Sequence, residues 1–247
     1  MARSLLCVSG LVVHYGGRRA LDGVDVALDA GTTLAVIGPN GSGKSTLLLA
    51  IAGLVAPARG TVDVDRAGVA LVLQSTDVDR SLPISVLETV RLARYRRLGM
   101  LRRFGPADHG AVARAMARLE VTDLARRQLH ELSGGQRQRV LVAQGVAQEA
   151  QLLLLDEPVT GLDIRSSELI FDVVAEERAA GRGVIITTHS LDEARRCDEV
   201  LLLAQRVIAH GPPEQVIRGD HLATAFGGRF VRLDDGAMFV DAVHHVH

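Results

Sequence analysis

Tryptophan is absent from the 247 residues, and only two tyrosines and five phenylalanines are present. Leu, Val and Ala must therefore build any core, and a hydrophobic content of 47% is ample for one. Cysteine is also scarce. Cys7 and Cys197 stand far apart, outside any C-x-x-C pattern. That excludes a disulfide scaffold and leads to the expectation of a reduced, cytoplasmic compartment. No apolar run approaches the roughly 18 residues that span a bilayer, and the N-terminus lacks the apolar segment of a secretory signal. A role in a membrane process would thus need another chain to cross the membrane. An excess of charge is missing too. With 28 basic and 29 acidic residues the net charge is −1, which argues against broad affinity for nucleic acid. The length fits one large α/β domain, or such a domain with a subdomain inserted.

The most informative shortage is lysine. Of the 28 basic residues 27 are arginine, and the one lysine is Lys44. It lies in Gly38-Pro39-Asn40-Gly41-Ser42-Gly43-Lys44-Ser45-Thr46, which fits G-x-x-x-x-G-K-[ST]. Backbone N–H groups can surround a triphosphate only where no Cβ intervenes, and Gly38, Gly41 and Gly43 meet that demand. The flanks fit as well. Thr33–Ile37 reads as a buried strand and Leu47–Ala52 as a helix, so the loop sits on a helix N-terminus that favours phosphate. Lys44 is expected at the β- and γ-phosphates and the Ser45 hydroxyl at Mg²⁺. An ammonium is a compact point charge that fits between phosphate oxygens, whereas a guanidinium is a wide fork.

Apolar patterning predicts strands over 5–13 and 24–28, with Asp29-Ala30-Gly31 turning into the strand before the loop. Tyr15, read as lying between the first two strands, can stack on an adenine ring or simply pack half-buried. Strands are predicted at Thr61–Val64 and Val69–Leu73, with Gln74 at the end of the second; its amide can reach a metal or a water, or be merely solvated. Helices are expected around 85–98 and 107–119. Arginines at 91, 94, 96, 97, 102 and 103 lie among Leu92, Leu98, Met100, Leu101 and Phe104. They suit either a docking surface or a solvated helix face.

Leu132-Ser133-Gly134-Gly135-Gln136 follows. Ser133 and Gln136 are spaced as a capping box for a helix running to about Ala147. A double glycine after the cap is costly in a helix and makes sense if a phosphate approaches its backbone. Four leucines, Leu152–Leu155, then lead to Asp156-Glu157-Pro158. Carboxylates at a strand's C-terminal edge can hold Mg²⁺ (Asp156) and orient or deprotonate an attacking water (Glu157), or be ordinary turn residues. A helix is predicted over 164–179 and a buried strand over Val184–Thr188. That strand ends at His189, which can hold the lytic water or a γ-phosphate, or be structural. Ser190-Leu191-Asp192-Glu193 reads as a second capping box. Strands follow at Val200–Ala204 and Val207–Ala209, ended by Gly211-Pro212-Pro213. The tail 228–240 reads as a hairpin around Asp234-Asp235-Gly236. His244, His245 and His247 can bind metal or be incidental.

Phosphate loop, Gln74, LSGGQ, LLLLDE and Thr188-His189, in that order, resemble the nucleotide-binding subunit of an ATP-binding cassette (ABC) transporter. The resemblance covers residues 3–217. It implies an α/β fold: a phosphate-loop NTPase with a mixed or parallel core sheet, an N-terminal antiparallel β subdomain and a helical subdomain inserted at about 75–145, all in one domain. Residues 218–247 form a C-terminal extension. It also implies bound ATP and Mg²⁺, the metal held by Ser45, Gln74 and Asp156. Tyr15 is then the adenine-stacking residue and His189 the switch histidine, with Glu157 and His189 catalytic. Ser133, Gly134, Gly135 and Gln136 contact nucleotide on a second cassette, a further copy of this chain or a close relative, and Asp163 lies in the loop that communicates across that dimer. Ser190 departs from the family, which usually has Asp there.

A finer similarity, to cassettes of manganese, zinc and iron importers, lies in Gln74–Asp77, Leu82–Val86, Arg94–Arg97, Thr160–Asp163 and Ala225–Gly228. It implies metal import, a separate membrane permease docking near Pro83-Ile84-Ser85-Val86, an extracytoplasmic substrate-binding protein, and a peripheral place on the cytoplasmic face of the membrane.

Overall fold

The computed structural model describes residues 4–74, 83–98, 103–227, 230–232 and 238–240. Two long strands, β1 (Ser4–Tyr15) and β2 (Arg18–Asp29), pair antiparallel; after β3 (Thr33–Ile37) and α1 (Lys44–Ile51), β4 (Arg59–Asp63) joins the other edge of β1. β5 (Val69–Val72), α2 (Val86–Leu98), α3 (Pro106–Arg118) and α4 (Gly134–Ala147) follow. Then come β6 (Leu152–Asp156), α5 (Ile164–Ala179), β7 (Gly183–Thr188), α6 (Leu191–Ala194), β8 (Glu199–Ala204) and β9 (Arg206–Gly211). The chain closes with α7 (Pro213–Val216), α8 (Gly219–Phe226) and the antiparallel pair β10 (Phe230–Arg232) and β11 (Met238–Val240).

The main sheet has the order β5-β6-β7-β3-β8-β9, parallel except for β9. Its central strands are buried along their whole length because both faces are covered, β3 and β6 at every residue. Alternation along each strand divides the core in two. Leu152, Leu154, Leu34 and Val36 face α1 and the strands β1 and β2, whereas Leu153, Leu155, Ala35 and Ile37 face the helices on the other side. Parallel strands point their C-terminal ends one way. The segments after β3, β5, β6 and β7 therefore emerge along one edge, where ligands of open α/β sheets bind.

On the far face α4 packs against α2, α3, α5 and β5. Gly145 allows this approach: a Cβ there would meet Val72 Cγ2 at 2.5 Å and Leu153 Cδ1 at 3.2 Å. A buried cluster ties the helices together. Arg94 of α2 donates to Asp108 of α3, to the Ala147 carbonyl and to Glu149, each at 2.9 Å. Burial opposes the charge on Glu149, but hydrogen bonds from Arg94 and Arg114 outweigh it and hold that carboxyl below its usual range. Arg118 of α3 bridges to Glu176 and Glu177 of α5.

Several expectations are corrected here. Tyr15 is the last residue of β1 rather than part of a connecting loop, because the pairing with β2 continues to Tyr15–Arg18. Gln74 lies two residues beyond β5, whose ladder to β6 stops at Val72. Gly211-Pro212-Pro213 ends β9 as expected, and Pro213 also starts α7, since its fixed φ suits the first helical turn. Arg94, read as part of an exposed basic cluster, is 5% exposed and fully engaged in ion pairs. The segment Ser75–Leu82, Met100–Arg102, Gly228, the Asp234–Gly236 turn and His244, His245 and His247 lie outside the described residues.

Candidate functional site

The phosphate loop spans the end of β3 and the start of α1. Two of its glycines, Gly38 and Gly43, are required by their neighbours. Gly38 has φ 154°, and a Cβ there would come within 2.0 Å of the Leu203 carbonyl oxygen. Gly43, at φ 101°, would strike the Ala20 carbonyl oxygen at 2.6 Å. Gly43 is also the N-cap of α1, with no side-chain cap and no acidic residue in the first turn. The helix end therefore presents N–H groups and positive dipole without a competing carboxylate. Lys44 is buried, and Nζ donates to the carbonyls of Gly38 at 2.9 Å and Pro39 at 3.2 Å. Burial lowers its pKa, and the carboxylates of Glu157 and Asp156 partly restore it. Ser45 is exposed one residue on, Thr46 is half-buried, Asn40 is exposed, and Ser42 is buried with its hydroxyl unpartnered among the described residues.

Asp156 ends β6 near Lys44 of this loop, and Glu157 follows it. Asp156 is 6% exposed, and its Oδ1 accepts from the Thr187 hydroxyl at 2.5 Å. Glu157 leaves the strand in the left-handed region at φ 46°. Three groups converge on its Oε2: Gln74 Nε2 at 3.3 Å, Thr160 Oγ1 at 3.2 Å and His189 Nδ1 at 3.8 Å. Residues widely separated in the chain thus meet because β5, β6 and β7 are parallel neighbours. Hydroxyl, amide and carboxylate oxygens of Ser45, Gln74 and Asp156 are the hard donors that Mg²⁺ takes, so the donor chemistry fits that ion.

Around His189 the expected second capping box is only half formed. Ser190 Oγ accepts from Glu193 N at 3.4 Å, but the Glu193 carboxylate takes the Thr188 hydroxyl and not the Ser190 N–H. The Ser190 N–H goes to Thr188 Oγ1 at 3.0 Å. Burial raises the pKa of Glu193, with the Thr188 hydrogen bond acting against it.

The Ser133–Gln136 box is complete. Ser133 Oγ accepts from Gln136 N at 3.3 Å, and Gln136 Oε1 accepts from Ser133 N at 3.2 Å. Ser133 and Gly134 are exposed. Among the described residues no hydrogen bond links this tip to residues 38–46. It adjoins Asp163 instead: a Cβ on Gly135 would lie 3.4 Å from Asp163 Oδ2 and 3.3 Å from Ser166 Oγ. Asp163 caps α5, and hydrogen bonds from the Ser166 N–H and hydroxyl lower its pKa. Tyr15 is 47% exposed at the end of β1. Sequence reasoning assigned no role at the site to Thr160, Thr187, Thr188 or Glu193, although it quoted Thr160, Thr188 and Glu193 within motifs. Thr187 gave no such signal, because its pairing with the Asp156 strand is a matter of sheet register.

Residues 21–160 match the ABC transporter family. The manganese transport system ATP-binding protein MntB of Listeria innocua is 36% identical over 89% of this chain and 95% of its own length. The hemin import ATP-binding protein HmuV of Streptomyces coelicolor is 44% identical over 86% of this chain and 79% of its own. An ABC transporter solved in an inward-facing conformation superposes with a TM-score of 0.82 at 27% identity, covering 96% of both chains. With the phosphate loop, the paired carboxylates and the LSGGQ helix tip on one α/β frame, the chain belongs to the ABC transporter family as an ATP-hydrolysing subunit.

Proposed function

We propose that this subunit powers import of a divalent metal or a metal chelate through a separate membrane permease. The relatives named for manganese and hemin transport support that cargo class. Hemin stands as the second reading because the HmuV relative shares 44% identity. Among the described residues no helix is long and apolar enough to cross a membrane; in this reading the cargo passes through the permease. The subunit then works at the cytoplasmic face, together with an extracytoplasmic binding protein.

The observation that carries the catalytic reading is the convergence on Glu157 Oε2. Gln74 and Thr160 hold the carboxylate in one place, and His189 stands near the same oxygen. Glu157 accepts a proton from, or orients, the water that attacks the γ-phosphate. Lys44 and the N–H groups of residues 38–46 bind the phosphates, and Tyr15 stacks on adenine. His189 holds the lytic water or the γ-phosphate. When bound, Mg²⁺ supplies charge neutralisation at the β- and γ-phosphate oxygens, and Ser45, Gln74 and Asp156 would hold it. Phosphoryl transfer asks mainly for such positioning, which is why one side chain per task suffices.

The exposed Ser133-Gly134-Gly135 tip and Gln136 serve nucleotide on a second copy, so each site is completed by its partner. The helical segment at about 75–145 acts as a subdomain that carries the tip, and 218–247 as an extension. Glu157→Gln should keep ATP affinity and lose about a hundredfold or more in turnover. With the permease in a lipid bilayer, ATPase should rise with binding protein loaded with Mn²⁺, or with hemin on the second reading. Response to neither cargo would overturn the metal assignment, and near-parental turnover in Glu157→Gln would remove Glu157 from its role.

A further inference from the structure

The ladder between β6 and β7 ends at the pair Asp156–Thr187. Beyond it the chain turns sharply, with Glu157 at φ 46°, a conformation that side chains with a Cβ rarely hold without help. Thr187, 0% exposed, supplies that help. Its Oγ1 accepts the Glu157 N–H at 2.9 Å and donates to Asp156 Oδ1 at 2.5 Å. One hydroxyl thus occupies a donor and an acceptor role toward two neighbouring acids. It holds the backbone of one and the carboxylate of the other in a single arrangement.

We infer that Thr187 is a positioning residue for the hydrolytic centre: its hydroxyl fixes the left-handed turn that aims Glu157 and orients the Asp156 carboxylate. This rests on the reading of Glu157 as the acid that handles the attacking water. Thr187 itself touches no substrate. Valine keeps the shape of threonine and removes both hydrogen bonds, leaving the Glu157 N–H without its acceptor. Serine keeps the hydroxyl.

The test compares Thr187→Val, Thr187→Ser and Glu157→Gln in the full chain. Thr187→Val should lower kcat about tenfold or more, because small displacements of catalytic groups are costly. Its KM for ATP, and its ATP affinity in EDTA, should stay within about twofold, since residues 38–46 are untouched. The Glu157 amide should exchange with deuterium about tenfold faster. Thr187→Ser should recover most of the lost rate and the amide protection. Should the valine variant not fold, Thr187→Ala gives the same comparison. Parental kcat in Thr187→Val, or equal losses in the valine and serine variants, would overturn the inference while Glu157→Gln remains inactive. Turnover retained by Glu157→Gln would instead bring down the reading of Glu157 on which it rests.

Discussion

Lys44 sits where a compact cation is wanted. Its ammonium lies between two loop carbonyls at 2.9 and 3.2 Å, inside a cradle whose glycines already press against Leu203 and Ala20. A guanidinium is too wide to share that space. Lys44→Ala should lose about 2 kcal/mol of nucleotide binding, a weakening of roughly thirtyfold, from the missing charge-assisted bonds. Lys44→Arg should recover little of it, although the charge is restored. Isothermal titration with ATP reads both, and parental affinity in either variant would contradict the assignment of the loop. The motif made Lys44 a candidate from sequence because the pattern that marks it is local. Thr187 was not legible, since its partners belong to β6 and meet it only through sheet register.

Gly145 shows the same division within one element. A glycine inside a helix costs about 1 kcal/mol relative to alanine, so propensity alone recommends replacing it. Packing says the reverse, because the added Cβ would lie 2.5 Å from Val72. Gly145→Ala should therefore destabilise the protein by about 1–3 kcal/mol, through overpacking of α4 on the sheet. Urea unfolding measures this, and a stabilised variant would show that α4 can shift freely. The helices themselves were readable: Ser133 and Gln136 predicted the start of α4, and the box is present at both bonds. The buried Arg94 cluster was not readable. Charge in a sequence does not say which carboxylates from α3 and the end of α4 will surround it.

For the whole molecule the relevant surface is a cleft of about 390 Å³ between the nucleotide-binding core and the helices. Leu54, Val69, Leu71 and Leu73 line one side and Leu92 and Ala93 the other. Leu54 is 66% and Leu92 49% exposed, which leaves apolar surface open beside the segment expected to meet the permease. Leu54→Glu combined with Leu92→Glu should leave ATPase of the isolated subunit within about twofold, both side chains being exposed at the surface. Stimulation by the permease should be lost, as a charge in an apolar contact is costly. Measuring ATPase with and without permease in a bilayer decides it; undiminished stimulation would move the docking surface elsewhere.

The amino-acid sequence alone determined the phosphate loop, the paired acids at a strand end, the LSGGQ cap and the order of most strands and helices. Each of these depends on residues close together in the chain, where spacing and backbone preference act directly. Only the tertiary structure decided that Gln74, Thr160 and His189 gather on one oxygen of Glu157, that Thr187 ties both acids, and that Arg94 lies buried. Those facts follow from which strands lie side by side and which helix faces touch. Such pairings join distant stretches of chain, and no local pattern records them.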